Sequence, residues 1–151
     1  MGNLLHTEKM KGVDDRLKSV VNAAVAMYEH DVNCTEGVRT LAKQNAYYAQ
    51  GRKPLEAVNQ LRKQAGIAPI TSAQNKAVTW TMKSKHLEGK AVDLVPQIDG
   101  KVRYDLCREF APCMIKVSKE LNIPIRWGAD WNGNGVAYEK GETDSPHFEL
   151  D

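Results

Sequence analysis

The sequence predicts an α+β domain in which helices pack on a small, largely antiparallel sheet. Two observations carry that prediction. Apolar residues recur at helical spacing over two long stretches, roughly 14–30 and 104–121, while the segments rich in β-branched residues are short and bounded by Gly or Pro. At 151 residues, with 42% hydrophobic and 26% charged side chains, the chain is long enough for one compact domain, 1–151, with a core of its own.

Leu17, Val20, Val21, Ala24, Met27 and Tyr28 form the apolar stripe of a first helix between about Asp14 and His30. Thr40 as N-cap opens a second helix that reaches Gln50 and closes at Gly51; a third begins with Pro54 in its first turn and ends before Gly66. Residues 66–77 read as loop. Val78-Thr79-Trp80-Thr81 and Ala91-Val92-Asp93-Leu94-Val95 read as strands, the second stopped by Pro96, with a turn at Gly100. Leu106, Phe110, Cys113, Met114, Val117 and Leu121 mark the main core helix, and the segments 123–127 and 147–150 complete the sheet.

Composition narrows the function classes. Lys+Arg (21) and Asp+Glu (19) nearly balance at a net +2, and no dense basic run interleaved with aromatics appears, which argues against a nucleic-acid partner. No apolar run is long enough to span a bilayer, so no membrane insertion is expected. The opening Met1-Gly2-Asn3-Leu4-Leu5-His6 lacks the apolar core of a signal peptide and places His6 where a myristoylation signal needs Ser or Thr. The expectation is a monomer made in the cytoplasm. Cys34, Cys107 and Cys113 match neither a C-x-x-C zinc knuckle nor a disulfide framework and read as buried free thiols.

Two segments carry the chemistry: Ser84-Lys85-His86-Leu87-Glu88-Gly89-Lys90-Ala91-Val92-Asp93 and Asp144-Ser145-Pro146-His147-Phe148-Glu149-Leu150. Catalytic zinc takes three protein ligands and leaves a fourth position for water. His86, Asp93 and His147 fit that count, and Asp144 remains free to act as a base. Strand alternation sets Asp93 on the face opposite Val92 and Leu94, and His147 with Glu149 opposite Phe148 and Leu150, so neighbouring strands would converge the polar pair. Gly89 permits a tight turn that swings His86 back over the sheet. Singly, a histidine is usually solvent-facing or hydrogen-bonded and an aspartate usually salt-bridged; the joint pattern is what points to metal. Glu149 reads as a partner of His147 rather than a rival base. Trp127 and Trp131 divide between groove wall and core.

The pattern S-x-H-x-x-G-x-A-x-D followed by D-x-x-H-F-E resembles the zinc D-alanyl-D-alanine carboxypeptidase and L-alanyl-D-glutamate endopeptidase family, especially its small phage endolysin members. The resemblance runs from about Cys34 to Leu150, with support from Glu36-Gly37-Val38-Arg39-Thr40, Gln44, Tyr48-Ala49-Gln50-Gly51-Arg52 and Trp127-Gly128-Ala129-Asp130-Trp131. It implies a fold like that of the D-Ala-D-Ala peptidases and hedgehog domains. It also implies His86, Asp93 and His147 as zinc ligands, Asp144 as catalytic carboxylate, Arg39 as the cation for a substrate oxygen, and Ser84 and Gln44 as polar substrate contacts. Val38, Ala129 and Asp144 depart from commoner family residues and bear on pocket shape. The implied reaction is hydrolysis of the L-alanyl-D-glutamate bond in bacterial peptidoglycan stem peptides. The alternatives are D-alanyl-D-alanine carboxypeptidase activity and a non-catalytic zinc-binding module. With no wall-binding domain and no signal peptide expected, the enzyme would reach the wall from the host cytoplasm after a separate phage protein permeabilises the membrane.

One further motif stands apart. Asp130-Trp131-Asn132-Gly133-Asn134-Gly135 matches the first half of an EF-hand loop, offering Asp130, Asn132 and Asn134 as calcium ligands. The second half fails, because position twelve is Gly141 and Glu142 comes one residue late, so any calcium site is expected to be irregular and weak. Ordinary Asn-Gly turns account for the same residues.

Overall fold

The computed structural model describes residues 2–79, 82, 84–139 and 142–151. In chain order the elements are β1 (Leu4–Leu5), α1 (Asp15–Met27), β2 (Asp31–Glu36), α2 (Leu41–Ala49), α3 (Leu55–Gln64), β3 (Ala91–Ile98), β4 (Lys101–Val102), α4 (Cys107–Leu121), β5 (Ile125–Trp127) and β6 (His147–Leu150). The chain divides into two compact units, Met1–Val38 with Glu88–Asp151, and Arg39–Leu87.

The first unit holds the whole sheet, in the order β1-β2-β3-β6-β5 with β4 paired to β3. Among the described residues only β1 and β2 run parallel; the other pairings are antiparallel, as expected for this α+β class. The Asp14 side chain caps α1 by accepting from the Arg16 N–H at 2.9 Å, and Leu17, Val20, Val21, Ala24 and Val25 make its buried stripe. That stripe joins Phe110, Ala111, Met114 and Val117 of α4 and Val32, Cys34, Val92, Leu94, Phe148 and Leu150 of the strands in one core. Tyr28, Phe110 and Phe148 meet edge to face there, at 5.1 Å and 6.0 Å between successive rings.

Several boundaries differ from expectation. Met27 and Leu121 are exposed, because α1 ends at Met27 and Leu121 lies at the last turn of α4, on its solvent side. Tyr28, beyond the helix, is buried in extended backbone, and its hydroxyl donates to Glu109 Oε1 at 3.2 Å. Pro96 does not stop β3, which continues to Ile98. The Pro96 carbonyl accepts from the Arg103 N–H at 2.7 Å, so the ring nitrogen faces the β4 side and no bond to β2 is lost. Asp99 and Gly100, both at positive φ, form the two-residue turn that lets β4 fold back. The strand expected over Val78-Thr79-Trp80-Thr81 is not seen at Val78 and Thr79; Trp80 and Thr81 lie outside the described residues. β2 was not foreseen, although its Val32 and Cys34 alternate with polar residues and are fully buried.

The second unit is a pair of helices with connecting loops. Thr40 caps α2, its hydroxyl accepting from the Lys43 N–H at 3.2 Å, and Gly51 follows the helix at φ +77°. Pro54 stands one residue ahead of α3 as its N-cap rather than inside the first turn. The segment 66–77 is irregular apart from a 3₁₀ turn at Ser72–Gln74, which Thr71 and Gln74 close as a capping box. Among the described residues of the chain, no helix is long and apolar enough to cross a membrane.

Candidate active site

The pairing of β3 with β6 sets Asp93 directly opposite His147. Their neighbours Val92, Leu94, Phe148 and Leu150 all belong to the apolar core, so a one-residue slip would turn the polar pair into that core and turn four apolar side chains out of it; the core therefore holds the register. His147 Nδ1 lies 3.3 Å from Asp93 Oδ1 and 3.9 Å from Asp144 Oδ2, while Nε2 lies 2.8 Å from Glu149 Oε1. The imidazole is thus held at both nitrogens and is only 7% exposed. Burial works against its charged form, but the hydrogen bonds to Asp93 and Glu149 and the charges of Asp93 and Asp144 outweigh it, pushing the pKa up to about 9.

Asp144 sits on the accessible side, its side chain 54% exposed. Its position is set by backbone: the Asp144 N–H donates to the Gly128 carbonyl at 3.1 Å, and the Gly128 and His147 N–H groups donate to the His147 and Asp144 carbonyls at 2.8 Å and 3.1 Å. A Cβ on Gly128 would collide with the Asp144 carbonyl oxygen, so glycine is what allows this close approach. Trp127 is buried, its indole N–H donating to the Ser145 carbonyl at 2.7 Å, and Trp131 tilts over His147 at 5.2 Å between rings. Both tryptophans also line a cleft of about 730 Å³ whose lining includes none of Asp93, Asp144 and His147.

His86, Ser84, Arg39 and Gln44 belong to the second unit. His86 is buried, at the start of the turn 85–89; its N–H donates to Ser84 Oγ at 3.2 Å and its carbonyl accepts from the Arg39 N–H at 2.9 Å. Gln44 is 0% exposed, its Oε1 accepting from Arg39 Nη1 at 2.7 Å and its Nε2 donating to Thr79 Oγ1 at 3.4 Å. Tyr47, which the sequence reading passed over, lies with its ring 4.9 Å from the Arg39 guanidinium. The available signal was an aromatic three residues after Gln44, on the same face of α2.

In the loop from Asp130 to Gly135 the three candidate calcium ligands bind their own backbone. Asp130 Oδ2 accepts from Gly135, Asn132 Oδ1 from Asn134, and Asn134 Oδ1 from Val136, at 3.0, 3.1 and 2.9 Å. Glu142 is 5% exposed and its Oε2 accepts from the Asn132 N–H at 3.1 Å. Asp130 Oδ1 and Glu142 Oε1 are buried without a hydrogen-bond partner among the described residues. Gly141, the expected twelfth position, lies outside those residues.

The sheet thus pairs Asp93 with His147, sets Glu149 behind the imidazole and leaves Asp144 at the open side, an arrangement of side chains that could hold a metal ion. The chain belongs to the family of phage L-alanyl-D-glutamate peptidases, whose model matches residues 56–151. It is 27% identical over 149 residues to the L-alanyl-D-glutamate peptidase of Escherichia phage T5, covering 95% of this chain and 92% of that protein. Among solved structures, the L-Ala D-Glu endopeptidase ChiX of Serratia marcescens has the same fold, with a TM-score of 0.67 at 22% identity over 100% of this chain and 90% of that one.

Proposed function

We propose that this protein is a zinc-dependent peptidoglycan peptidase of the phage endolysin type that hydrolyses the L-alanyl-D-glutamate bond of bacterial stem peptides. The observation that carries the reading is the cross-strand pair. Two ligands on a tetrahedral zinc, each at about 2.0–2.1 Å, stand about 3.3 Å apart, which is the separation of His147 Nδ1 and Asp93 Oδ1. Glu149 on the other ring nitrogen is the carboxylate that metal-bound histidines commonly carry behind them. The motif supports His86 as the third ligand. When bound, zinc supplies Lewis acidity that brings the pKa of water to about 7 and polarises a carbonyl.

The chain's own residues supply the remainder. Asp144, half-exposed beside His147, accepts the proton of the attacking water and passes it to the nitrogen of D-glutamate as the C–N bond breaks. Arg39, oriented by Gln44, donates to a substrate carbonyl or carboxylate oxygen, where fixed charge favours developing negative charge. Trp131 walls the approach to His147. The protein acts as a monomer, on the wall, once a separate protein has opened the membrane. Mass spectrometry of purified muropeptides, digested with and without a chelator, tests the whole reading: new N-terminal D-glutamate that disappears with chelator is expected. Release of free D-alanine alone would assign D-alanyl-D-alanine carboxypeptidase activity, and no cleavage would leave a zinc-binding module.

Calcium at the loop from Asp130 is a second, separable part of this proposal. Its support lies in the loop itself: the D-x-N-x-N-G spacing and the two buried carboxylate oxygens of Asp130 and Glu142 without partners. Calorimetry should show calcium uptake at or below millimolar concentration that Glu142→Gln abolishes; no heat at millimolar calcium removes the idea.

A further inference from the structure

We propose that Tyr47 is a positioning residue for Arg39, fixing the plane in which that guanidinium meets its ligand; the inference rests on Arg39 as the substrate-binding cation. All the contacts lie within the second unit. Arg39 directly precedes the cap of α2, and Gln44 and Tyr47 stand three residues apart on that helix, so both side chains reach back to the same place. Gln44 holds one edge of the guanidinium at 2.7 Å, and because its own amide nitrogen is engaged by Thr79, its oxygen stays turned toward Arg39. The Tyr47 ring covers Arg39 at 4.9 Å, an arrangement in which the ring quadrupole attracts the cation.

The ring is itself braced. Arg62 of α3 approaches it at 5.9 Å and is anchored by its Nη1 on Gln50 Oε1 and its Nε on the Ala68 carbonyl, both at 2.6 Å. Asn59 ties the same loop through paired bonds with Ile70, at 2.9 Å and 3.1 Å. Tyr47 therefore couples the arginine's orientation to the α2–α3 packing. An arginine held at one edge and beside an aromatic ring has already lost most of its rotamer freedom, so less is lost when it binds a carboxylate or carbonyl oxygen.

The test compares Tyr47→Phe, Tyr47→Leu, Arg39→Ala and the Tyr47→Leu/Arg39→Ala double variant in the full-length zinc-loaded protein, with kcat and KM on muropeptide and the NMR resonance of the Arg39 Nε–H group. Tyr47→Leu should lower kcat/KM about fivefold to tenfold and broaden that resonance, whereas Tyr47→Phe, which keeps the ring, should restore both. In the Arg39→Ala background Tyr47→Leu should cost nothing further. Additive losses, or Tyr47→Phe as damaging as Tyr47→Leu, would overturn the proposal. If Arg39→Ala itself leaves kcat/KM unchanged, the substrate role of Arg39 fails, and the resonance alone then decides: a sharp signal in Tyr47→Leu overturns the positioning role, a lost one upholds it.

Discussion

His147 carries a carboxylate at each ring nitrogen, and burial separates the acids around it. Glu149, the more buried, bonds Nε2 and orients the ring; Asp144, half-exposed and 3.9 Å from Nδ1, is the acid that solvent can reach. Asp144→Asn should therefore retain zinc, measured by atomic absorption, while turnover falls by about a hundredfold or more, since an amide cannot accept the water's proton. Near wild-type wall lysis by that variant would move the base role to Glu149 or Glu142. Glu149→Gln should instead weaken zinc affinity by about 10- to 100-fold in a chelator competition, with turnover recovering at saturating zinc. An unchanged affinity would show that the hydrogen bond to Nε2 does not tune the ligand.

At the scale of the element, the junction between β5 and β6 is where sequence and geometry meet most tightly. Gly128 is bracketed by Asp144 and His147 through two backbone hydrogen bonds, a third joins those two residues to each other, and the missing side chain of Gly128 is what leaves room for the Asp144 carbonyl. Gly128→Ala should fold, because β5 and the core beneath it are untouched, yet lower both kcat and thermal stability by pushing Asp144 off its position. Wild-type kcat in a crystal-verified Gly128→Ala protein would show that the backbone yields without cost. The neighbouring turn was legible in the sequence as a Trp-Gly run, but the contact across it was not, since nothing local says that residue 144 returns to residue 128. The same holds for β2 and β4. β4 is two residues long and β2 alternates at Val32 and Cys34 alone, so the periodic signal is short, and pairing with β3, and for β2 also with β1, makes them strands.

For the molecule taken whole, the core that sets the β3–β6 register holds the Cys34 thiol away from water, and Cys107, at the start of α4, is equally buried. Burial pushes Cys34 and Cys107 up to about 11, above the ordinary value of 9. Between those values the unfolded chain releases thiol protons that the folded protein retains, so the unfolded state binds fewer protons and stability falls as pH rises from about 9 to 11. Tyr28, raised by burial and by the charge of Glu109, acts in the same direction. His147, raised from 6.5 to about 9, also loses its contribution as pH rises through that window, so the melting temperature of the metal-free protein should decline from pH 7 and drop more steeply above 9, and Cys34→Ala should show a shallower drop above 9. A flat profile to pH 11 would mean that these thiols are wetter in solution than the structure shows. All three cysteines are free, with Cys113 half-buried rather than buried.

Residue types and their alternation along the chain carried the candidate chemistry and the phase of the strands. Helical periodicity placed α1 and α4, cap and breaker residues placed α2 and α3, and short apolar runs placed β5 and β6, each to within a few residues; strand alternation set Asp93 and His147 opposite Val92, Leu94, Phe148 and Leu150, although Ala91 and Val95 on the Asp93 face are buried as well. The residue types at 86, 93, 144 and 147 pointed to a metal-dependent hydrolase before any fold was known. Tertiary structure alone decided which strands are neighbours, that Pro96 is harmless because its nitrogen faces away from β2, and that Gln44, fully buried, grips Arg39. Alternation and spacing are properties of consecutive residues, so they can be read along the chain; pairing, desolvation and close approach are set by residues far apart in sequence, and they exist only once the chain has folded.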